Sequence, residues 1–466
     1  MPQPNRRQVL ATGLAAAAAM LLPGRSGATP APPAPPPPAG PAALPPLGAD
    51  FDWGVACSGF QTEGHAPDSN WTRYIATGKV DPYRDSVRFL DNYAADIDLA
   101  AKLGSRSFRM SVEWARIQPR PGGPDPAALA IYDHIIDAVC AAGMTPMITL
   151  DHWVYPGWVA DRGGWRDPGM IALWVANART VVQRYSTRDP IWVTINEPAA
   201  YIGTEIRIGA LNSAEWPMVM DRMAQAHNQI YDIIHSIRRD AMVTSNIGYV
   251  PGAETSVNQP FVDKVRDKLD FIGVDYYFGP TPKSSDGSSA TSAGAPGMWD
   301  LPLQTEGVYY ALRHYASQFP GKPLYVVENG MPTENGKPRP DGYLRADHLR
   351  DTVYWLQRAK ADGMDVRGYN YWSLTDNYEW GSYTPRFGLY TVDVTSDPQL
   401  VRKPTDAVAA FQALTRGGGV PADYRPTRGP VSCSQVDPPA SCDRPVTLAP
   451  APAPPPPAAP ADSPRP

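Results

Sequence analysis

Histidine and cysteine are scarce in this sequence of 466 residues, which has only seven histidines and four cysteines. No two histidines form a His-X-His pair, and no cysteines are spaced as metal ligands. A metal-dependent hydrolase needs clustered ligands of these types, so their scarcity argues against a metal centre. We expect neither a metal nor another cofactor.

The chain also lacks a strong excess of charge. Its net charge is −5, and its 42 basic and 47 acidic residues are spread along the chain. A protein that binds nucleic acid or an anionic membrane concentrates lysine and arginine in a patch. No such patch is visible, so we expect no nucleic-acid partner.

Long apolar runs are missing as well. The apolar stretch at residues 11–22 is shorter than the roughly 20 residues that a bilayer-spanning helix needs, so no transmembrane span is expected. Arg6 and Arg7 precede this stretch, and small residues follow it. Residues 1–28 therefore resemble a twin-arginine-type signal peptide, with an ordinary secretory signal or an uncleaved anchor as alternatives. Export to a periplasmic, cell-wall or extracellular location is expected.

Proline, in contrast, is abundant near both ends. Residues 29–47 and 448–466 consist largely of proline and alanine, and such segments bury too little apolar surface to fold. We interpret them as an extended linker and a disordered tail, with possible contact to a cell wall. A folded domain is expected over residues 48–417, followed by a C-terminal loop over residues 418–447.

The four cysteines fall into two pairs. Cys433 and Cys442 lie close together in the C-terminal loop, and export would permit a local disulfide between them. Cys57 and Cys140 lie within the folded domain, where we predict buried free thiols.

Strand and helix patterns alternate between the two proline-rich segments. Strands are predicted at residues 51–58, 107–112, 145–151, 191–197, 242–248, 269–276, 324–329 and 366–372. Helices are predicted at residues 92–103, 126–142, 170–185, 218–239, 262–266, 306–319, 345–362 and 405–414. Eight alternating pairs predict an α/β fold of the (β/α)8 TIM-barrel type rather than a shorter doubly wound sheet.

Two of the predicted strands each deliver one glutamate. Glu197 closes the fourth strand just before Pro198, which ends the ladder, and Glu328 closes the seventh. Either residue alone could cap a helix or pair with an arginine. Two carboxyls held on rigid strands before one substrate, however, are what glycoside hydrolysis requires. We favour that interpretation for the pair.

Polar and aromatic side chains close the other strands, where a barrel places its chemistry. Amides, carboxylates and indoles suit the hydroxyls and C–H faces of a sugar. His152, Trp372 and Trp380 could instead be ordinary core residues. Glu63 and Glu113 could pair with arginines, and we leave both outside the predicted site.

Six motifs in this order resemble glycoside hydrolase family 1, the β-glucosidase family. They are GVACSGFQTEG at residues 54–64, FRMSVEW at 108–114, DHW at 151–153, TINEP at 194–198, VENG at 327–330 and YWSLTDNYEW at 371–380, with RFGL at 386–389. The resemblance implies a retaining β-glycosidase in which Glu197 is the general acid/base and Glu328 the nucleophile. It implies that Arg109 and Tyr277 contact Glu328, and that the sugar is held by Gln61, His152, Asn196, Trp372, Glu379 and Trp380.

The chain departs from this family at two places. Asp275 stands where relatives usually carry asparagine, which puts another carboxyl near Glu328. The connections at residues 199–215 and 278–299 look short or flexible, so we expect an open cleft. Glu379 would repel a sugar phosphate, so a neutral sugar is expected.

Three hypotheses follow. The leading one is an exported retaining β-glycosidase that acts on small β-glycosides, with transglycosylation as a variant. The second is a degenerate barrel that binds carbohydrate or cell-wall polymer without cleaving it, motivated by Asp275 and the short connections. The third is a metal-dependent barrel hydrolase, which the histidine pattern disfavours.

Overall fold

The computed structural model describes residues 44–279 and 297–450. Its main sheet is parallel throughout and contains eight strands in chain order. They are β1 (Asp52–Ala56), β2 (Ser107–Ser111), β3 (Thr145–Asp151), β4 (Ile191–Ile195), β5 (Val243–Thr244 and Ile247–Gly248), β6 (Ile272–Asp275), β7 (Leu324–Asn329) and β8 (Val366–Trp372). The strands are buried along almost their whole length, as expected for a parallel sheet covered on both faces.

The broken strand β5 closes the barrel. Its first half pairs with β4 and its second half with β6, while β1 pairs with both β2 and β8. Ser245 and Asn246 lie at the break, where the Ser245 hydroxyl donates a hydrogen bond to the Ile195 carbonyl at 2.6 Å. Side-chain hydrogen bonding thus replaces part of the ladder, and the Asn246 side chain turns into the barrel mouth. The (β/α)8 prediction is confirmed.

Eight helices form the outer layer. They are α1 (Phe89–Lys102), α2 (Pro126–Ala141), α3 (Met170–Tyr185), α4 (Trp216–Ile237), α5 (Gln259–Val265), α6 (Gly307–Gln318), α7 (Arg345–Ala361) and α8 (Asp406–Gly417). On α4, the buried side chains of Met223, Ile230 and Ile234 recur at helical spacing and pack inward. The predicted helices therefore all exist, with ends shifted by a few residues.

Shorter elements occur in the connections and in the C-terminal segment. Short helices occur at Gly59–Thr62, Asn70–Ala76, Trp114–Ile117, Gly157–Ala160, Pro198–Ile208, Glu254–Val257 and Ala440–Asp443, with single 3-10 turns at Gly164–Arg166, Ser186–Arg188, Ser213–Glu215 and Met298–Asp300. Two-residue strands pair Thr333–Glu334 with Pro385–Arg386 and Tyr390–Thr391 with Lys403–Pro404.

The connection at residues 199–215 is predicted to be short, and the structure shows that much of it is a helix, which the sequence patterns did not predict. Residues 198–208 form a helix that starts with Pro198, a residue well suited to the first helical position. Gly209 ends this helix in the left-handed conformation, at φ 84°. Residues 280–296, which include most of the other connection, lie outside the described residues. The open cleft stays a prediction.

The packed domain extends beyond residues 48–417. Leu44 and Leu47, assigned above to the linker, are buried, and the Leu47 amide donates to the Gly418 carbonyl at 2.8 Å. After α8 the chain packs back over α6 and α7, where the Val446 amide donates to the Tyr310 hydroxyl at 2.9 Å. The signal, most of the linker and residues 451–466 lie outside the described residues.

The cysteines follow the predictions with one exception. Cys433 and Cys442 form a disulfide in the C-terminal segment, and Cys57 is a buried free thiol. Cys140 is exposed, because it lies on the outer face of α2 beside the buried Val139. Among residues 44–279 and 297–450, no helix is both long and apolar enough to cross a membrane.

Glu63 and Glu113 lie beside each other below the mouth. Glu63 forms an ion pair with Arg116 at 2.8 Å and accepts a hydrogen bond from Tyr132 at 2.7 Å. Glu113 contacts no arginine closely among the described residues and instead accepts from the Phe60 amide at 3.0 Å. Burial and the nearby Glu63 charge raise the pKa of Glu113 well above its usual value. Both residues are structural.

We predict that Glu63→Ala lowers the free energy of unfolding by about 3 kcal/mol, because it removes the carboxylate partner of the partly buried guanidinium of Arg116 and the acceptor of the Tyr132 hydroxyl. The matched control is Glu334→Ala, which removes an exposed ion pair with Lys337 and should cost less than about 1 kcal/mol. Denaturant titration measures both. Equal costs for the two variants would contradict the assignment.

Candidate active site

A pocket opens at the carboxyl ends of the barrel strands. Its empty volume is about 340 Å³. It is lined by His152, Trp153, Glu197, Tyr277, Phe278, Glu328, Trp372, Glu379, Trp380 and Phe387. Two carboxyl groups, one from the turn after β4 and one from β7, therefore face one space together with several aromatic rings.

Glu197 occupies the turn between β4 and the helix Pro198–Ile208. Its backbone is left-handed, at φ 40°, and its amide donates to the Asn246 carbonyl at 3.1 Å. A non-glycine residue in this conformation is strained, and such strain commonly marks functional sites. A Cβ atom on Gly248 would overlap Glu197 Oε1. The glycine thus makes room for the carboxyl.

Glu328 lies within β7 and is held from two sides. Arg109 on β2 donates from Nη1 to Glu328 Oε1, and the Tyr277 hydroxyl donates to Oε2 at 2.7 Å. Arg109 is fully buried and also donates to Thr149 at 3.1 Å. The buried guanidinium thus gives the Glu328 carboxyl a charge-assisted hydrogen bond.

An amide network connects the two sides. Arg109 Nη2 donates to Asn196 Oδ1, and Asn246 Nδ2 donates to the same oxygen at 2.7 Å. Asn196 Nδ2 lies 3.4 Å from His152 Nε2. Burial and the Arg109 charge lower the pKa of His152 well below its usual value, so this imidazole is neutral. The network holds Asn196 and His152 at the pocket in fixed orientations.

The two glutamates have different electrostatic environments. Burial and the charge of Glu328 raise the pKa of Glu197 to about 8. At neutral pH Glu197 therefore carries a proton, whereas Glu328 contacts a permanent cation. One carboxyl is prepared to donate a proton and the other to act as an anion.

Aromatic rings form the walls of the pocket. The imidazole of His152 stacks on Trp372 with ring centroids 5.7 Å apart and on Trp380 at 5.9 Å. Trp153 stacks on Trp380 at 4.6 Å and donates from its indole to the Asn196 carbonyl at 2.8 Å. Trp153 and Trp380 both have left-handed backbones. A flat ring surface of this kind suits the C–H face of a sugar.

Gln61 and Glu379 meet beside these rings. Gln61 Nε2 donates to Glu379 Oε2 at 3.3 Å and to Asn377 at 3.1 Å, and Gln61 accepts from the Ser58 hydroxyl at 2.7 Å. Burial, followed by the charge of Glu328, raises the pKa of Glu379 to about 8. An amide and a carboxyl side by side can bind adjacent sugar hydroxyls.

The structure brings all ten residues predicted from the sequence into this region. Seven line the pocket, namely His152, Glu197, Tyr277, Glu328, Trp372, Glu379 and Trp380. Arg109, Asn196 and Gln61 lie behind them and hydrogen-bond to lining residues.

Four residues were missed. Trp153, Phe278 and Phe387 line the pocket, and Asn246 belongs to the amide network. Trp153 and Phe387 lie within recognised motifs, and Phe278 directly follows Tyr277, so their positions gave a signal. Asn246 gave none, because it depends on the break in β5.

Comparison with known proteins decides the family. The model of glycosyl hydrolase family 1 matches residues 45–249 and 214–419, which together cover most of the chain. The chain belongs to glycosyl hydrolase family 1. This confirms the resemblance read from the motifs, and this family 1 chain is a glycosidase.

Individual relatives agree with this assignment. The beta-glucosidase-like SFR2 of rice is 28% identical over 382 residues, which cover 72% of this chain and 57% of the rice protein. This chain thus spans little more than half of that relative. A 1,4-beta-D-glucan glucohydrolase of Thermotoga neapolitana is 26% identical over 76% of this chain and 95% of its own. A beta-glycosidase structure from Pyrococcus horikoshii superposes with a TM-score of 0.69 at 25% identity, over 81% of this chain and 96% of that one.

Within the described parts of this family 1 glycosidase, no group of three or more histidine, cysteine or acidic side chains is arranged to hold a metal ion.

We predict that Gly248→Ala lowers kcat for β-glycoside hydrolysis by about 100-fold, because its methyl group displaces the Glu197 carboxyl from its position. Gly123→Ala is the matched control, since a Cβ there would meet no atom within 4 Å. Steady-state kinetics on an aryl β-glycoside measure the effect. An unchanged kcat in Gly248→Ala would show that the position of Glu197 does not matter.

Proposed function

We propose that this family 1 enzyme is an exported retaining β-glycosidase that cleaves small neutral β-glycosides by double displacement. One observation carries the proposal. Glu197 and Glu328 line one pocket, with a proton favoured on the first by burial and a charge favoured on the second by Arg109. This is the division of roles that a retaining mechanism needs.

In the first step the Glu328 carboxylate attacks the anomeric carbon. Glu197 gives its proton to the glycosidic oxygen, the C–O bond to the aglycone breaks, and the alcohol leaves. A covalent ester joins the sugar to Glu328, and Glu197 is left as a carboxylate. Tyr277 and Arg109 hold the attacking group in place throughout this step.

In the second step Glu197 takes a proton from water, and the oxygen of that water attacks the anomeric carbon. The ester bond breaks, the sugar leaves with retained configuration, and both side chains return to their first states. Esterification removes the Glu328 charge, which is one of the causes that raise the pKa of Glu197. That pKa therefore falls when Glu197 has to act as the base.

The remaining residues of the pocket hold the sugar. Trp372 supplies the floor, and Gln61, His152, Asn196, Glu379 and Trp380 supply polar atoms toward its hydroxyls. Glu379 and Gln61 are hydrogen-bonded to each other, which fits neutral hydroxyls. A phosphorylated sugar would meet the Glu379 carboxyl instead of a cation, so a neutral sugar is favoured.

Export and location belong to the same proposal. The arginine pair and the apolar stretch at residues 11–22 support a twin-arginine-type signal, and hence a periplasmic, cell-wall or extracellular enzyme. The disulfide between Cys433 and Cys442 fits an oxidising compartment. The proline-rich ends would act as spacers toward a cell wall.

The alternative of a binding protein without activity is less well supported. A site that has lost activity would be expected to lack one of the two carboxyls or the hydrogen-bond donors that hold it. Here both carboxyls face the pocket, and Glu328 keeps both hydrogen-bond donors.

We predict that Glu197→Ala and Glu328→Ala each abolish most turnover of an aryl β-glycoside. The loss for Glu197→Ala should be about 10²- to 10⁴-fold when the leaving group is poor. Azide should restore activity to Glu197→Ala and give a β-glycosyl azide, because the small anion replaces water without needing a base. Near-wild-type rates in both variants would refute the mechanism.

The stereochemistry of the product gives a second check on the mechanism. Retention requires the carboxyl groups of Glu197 and Glu328 to lie about 5–5.5 Å apart, whereas inversion requires roughly 6.5–9.5 Å. NMR of the first-formed sugar should show the β-anomer. An α-anomer would exclude double displacement.

The pH dependence provides a further prediction. Because Glu197 must be protonated, the alkaline limb of kcat/KM for a poor leaving group should fall as the pH rises through about 8. An activated aglycone that leaves without a proton should not show this fall. If both substrates lose activity at the same pH, Glu197 is not the proton donor.

A further inference from the structure

Asp275 places a third carboxyl between the two glutamates. It ends β6, where its Cα pairs with Gly248 of β5 on one side and with Glu328 of β7 on the other. Gly248 is the residue against which the Glu197 carboxyl packs. Asp275 is 1% exposed. Three acidic side chains, from the end of β4, from β6 and from β7, thus meet at one end of the barrel.

The charges around this group do not balance if all three acids are ionised. The charged and titratable groups that face Asp275 are Glu328, Glu197 and Arg109, with the phenol of Tyr277 beside them. Arg109 gives its hydrogen bonds to Glu328, Asn196 and Thr149. Among the described residues, Asp275 forms no ion pair. With three ionised acids and one cation, two negative charges would be uncompensated in a buried site, which is strongly unfavourable.

The hydrogen bonds of Asp275 show where a proton belongs. Its Oδ2 accepts from Asn246 Nδ2, an amide that also donates to Asn196. Its Oδ1 is buried and has no well-aligned partner among the described residues. Gly248 pairs with Asp275 across the sheet and also packs against the Glu197 carboxyl, so the Glu197 carboxyl is a close neighbour of Asp275. Since Oδ2 is used as an acceptor, Oδ1 is the oxygen that can carry a hydrogen and donate it.

We propose that Asp275 is a positioning residue that stays protonated on Oδ1 and donates a hydrogen bond to the Glu197 carboxyl, so that the proton donor Glu197 is held and stabilised by a second carboxyl. The inference rests on the proposed function of Glu197 as acid and base. It goes further, because it gives a role to a residue outside the expected catalytic pair.

The proton balance of the reaction is unchanged by this pair. Glu197 gives its own proton to the leaving oxygen, and Asp275 keeps its proton and stabilises the new carboxylate through the hydrogen bond. Water later returns a proton to Glu197. Burial and the charges of Glu328 and Glu197 raise the pKa of Asp275 well above its usual value, whereas its hydrogen bond lowers the pKa of Glu197.

Infrared difference spectroscopy tests the protonation directly. Wild-type protein minus Asp275→Asn at pH 7 should show the carbonyl band of a protonated carboxylic acid, because the amide of the variant keeps both hydrogen bonds but has no such group. Glu197 is protonated in both proteins and cancels. The matched control is Asp240→Asn at an exposed surface aspartate, whose difference spectrum should show a carboxylate band only. A carboxylate band alone for Asp275→Asn would overturn the proposal.

The pH profile of kcat/KM tests the effect on Glu197. Asp275→Asn retains a hydrogen-bond donor, so the alkaline pKa of the kcat/KM profile should stay within about half a pH unit of wild type. Asp275→Leu removes the donor and should raise this alkaline pKa by about one unit. A fall of one unit or more in Asp275→Asn would mean that Asp275 is charged, and would overturn the proposal. The spectrum reports on Asp275 even where no glycoside is cleaved, so failure of this inference is distinguishable from failure of the proposed function.

Discussion

The buried guanidinium of Arg109 is the interaction on which the site depends. It lies on β2 with no exposure to solvent and donates to a carboxylate, an amide and a hydroxyl from three other strands. Removing such a cation would leave Glu328 buried without compensation, at a cost of several kcal/mol. Together with burial, the same cation keeps His152 neutral, and it limits the number of acids that can be ionised nearby. The hydrogen bonds and the charge of Arg109 thus determine both the positions of the side chains at the barrel mouth and which of them are protonated.

Residues with a left-handed backbone and a break in one strand surround Arg109. Trp153, Glu197 and Trp380 all have left-handed backbones, and β5 is interrupted at Asn246. These departures turn side chains away from the barrel wall and into the pocket. Regular strands below them supply the rigidity that makes the strain tolerable. Asp376 fixes the loop that carries Glu379 and Trp380, because it accepts hydrogen bonds from the amides of Gly388 and Val392.

Sequence patterns predicted the barrel and the members of the site well, for physical reasons. A short apolar run that ends in a polar residue marks a buried strand such as β3, and helical spacing marks helices such as α3, so both matched their predicted bounds. Polar residues at strand ends converge in any barrel. The break in β5 depends on tertiary hydrogen bonds and was not predictable from periodicity. The helix after Glu197 was not predicted, although Pro198 and Gly209 mark its two ends. The exposure of Cys140 and the packing of Leu44 and Leu47 likewise depend on neighbours distant in sequence.

Formation of a covalent bond between the sugar and Glu328 is the central claim, and it is best tested by trapping that intermediate. A glycoside with fluorine at C2 and an activated leaving group slows the second step more than the first, so the ester accumulates. Mass spectrometry after proteolysis should then find one added sugar on the peptide that contains Glu328. Hydrolysis of natural substrates without any adduct, or an adduct on the Glu197 peptide, would contradict the account.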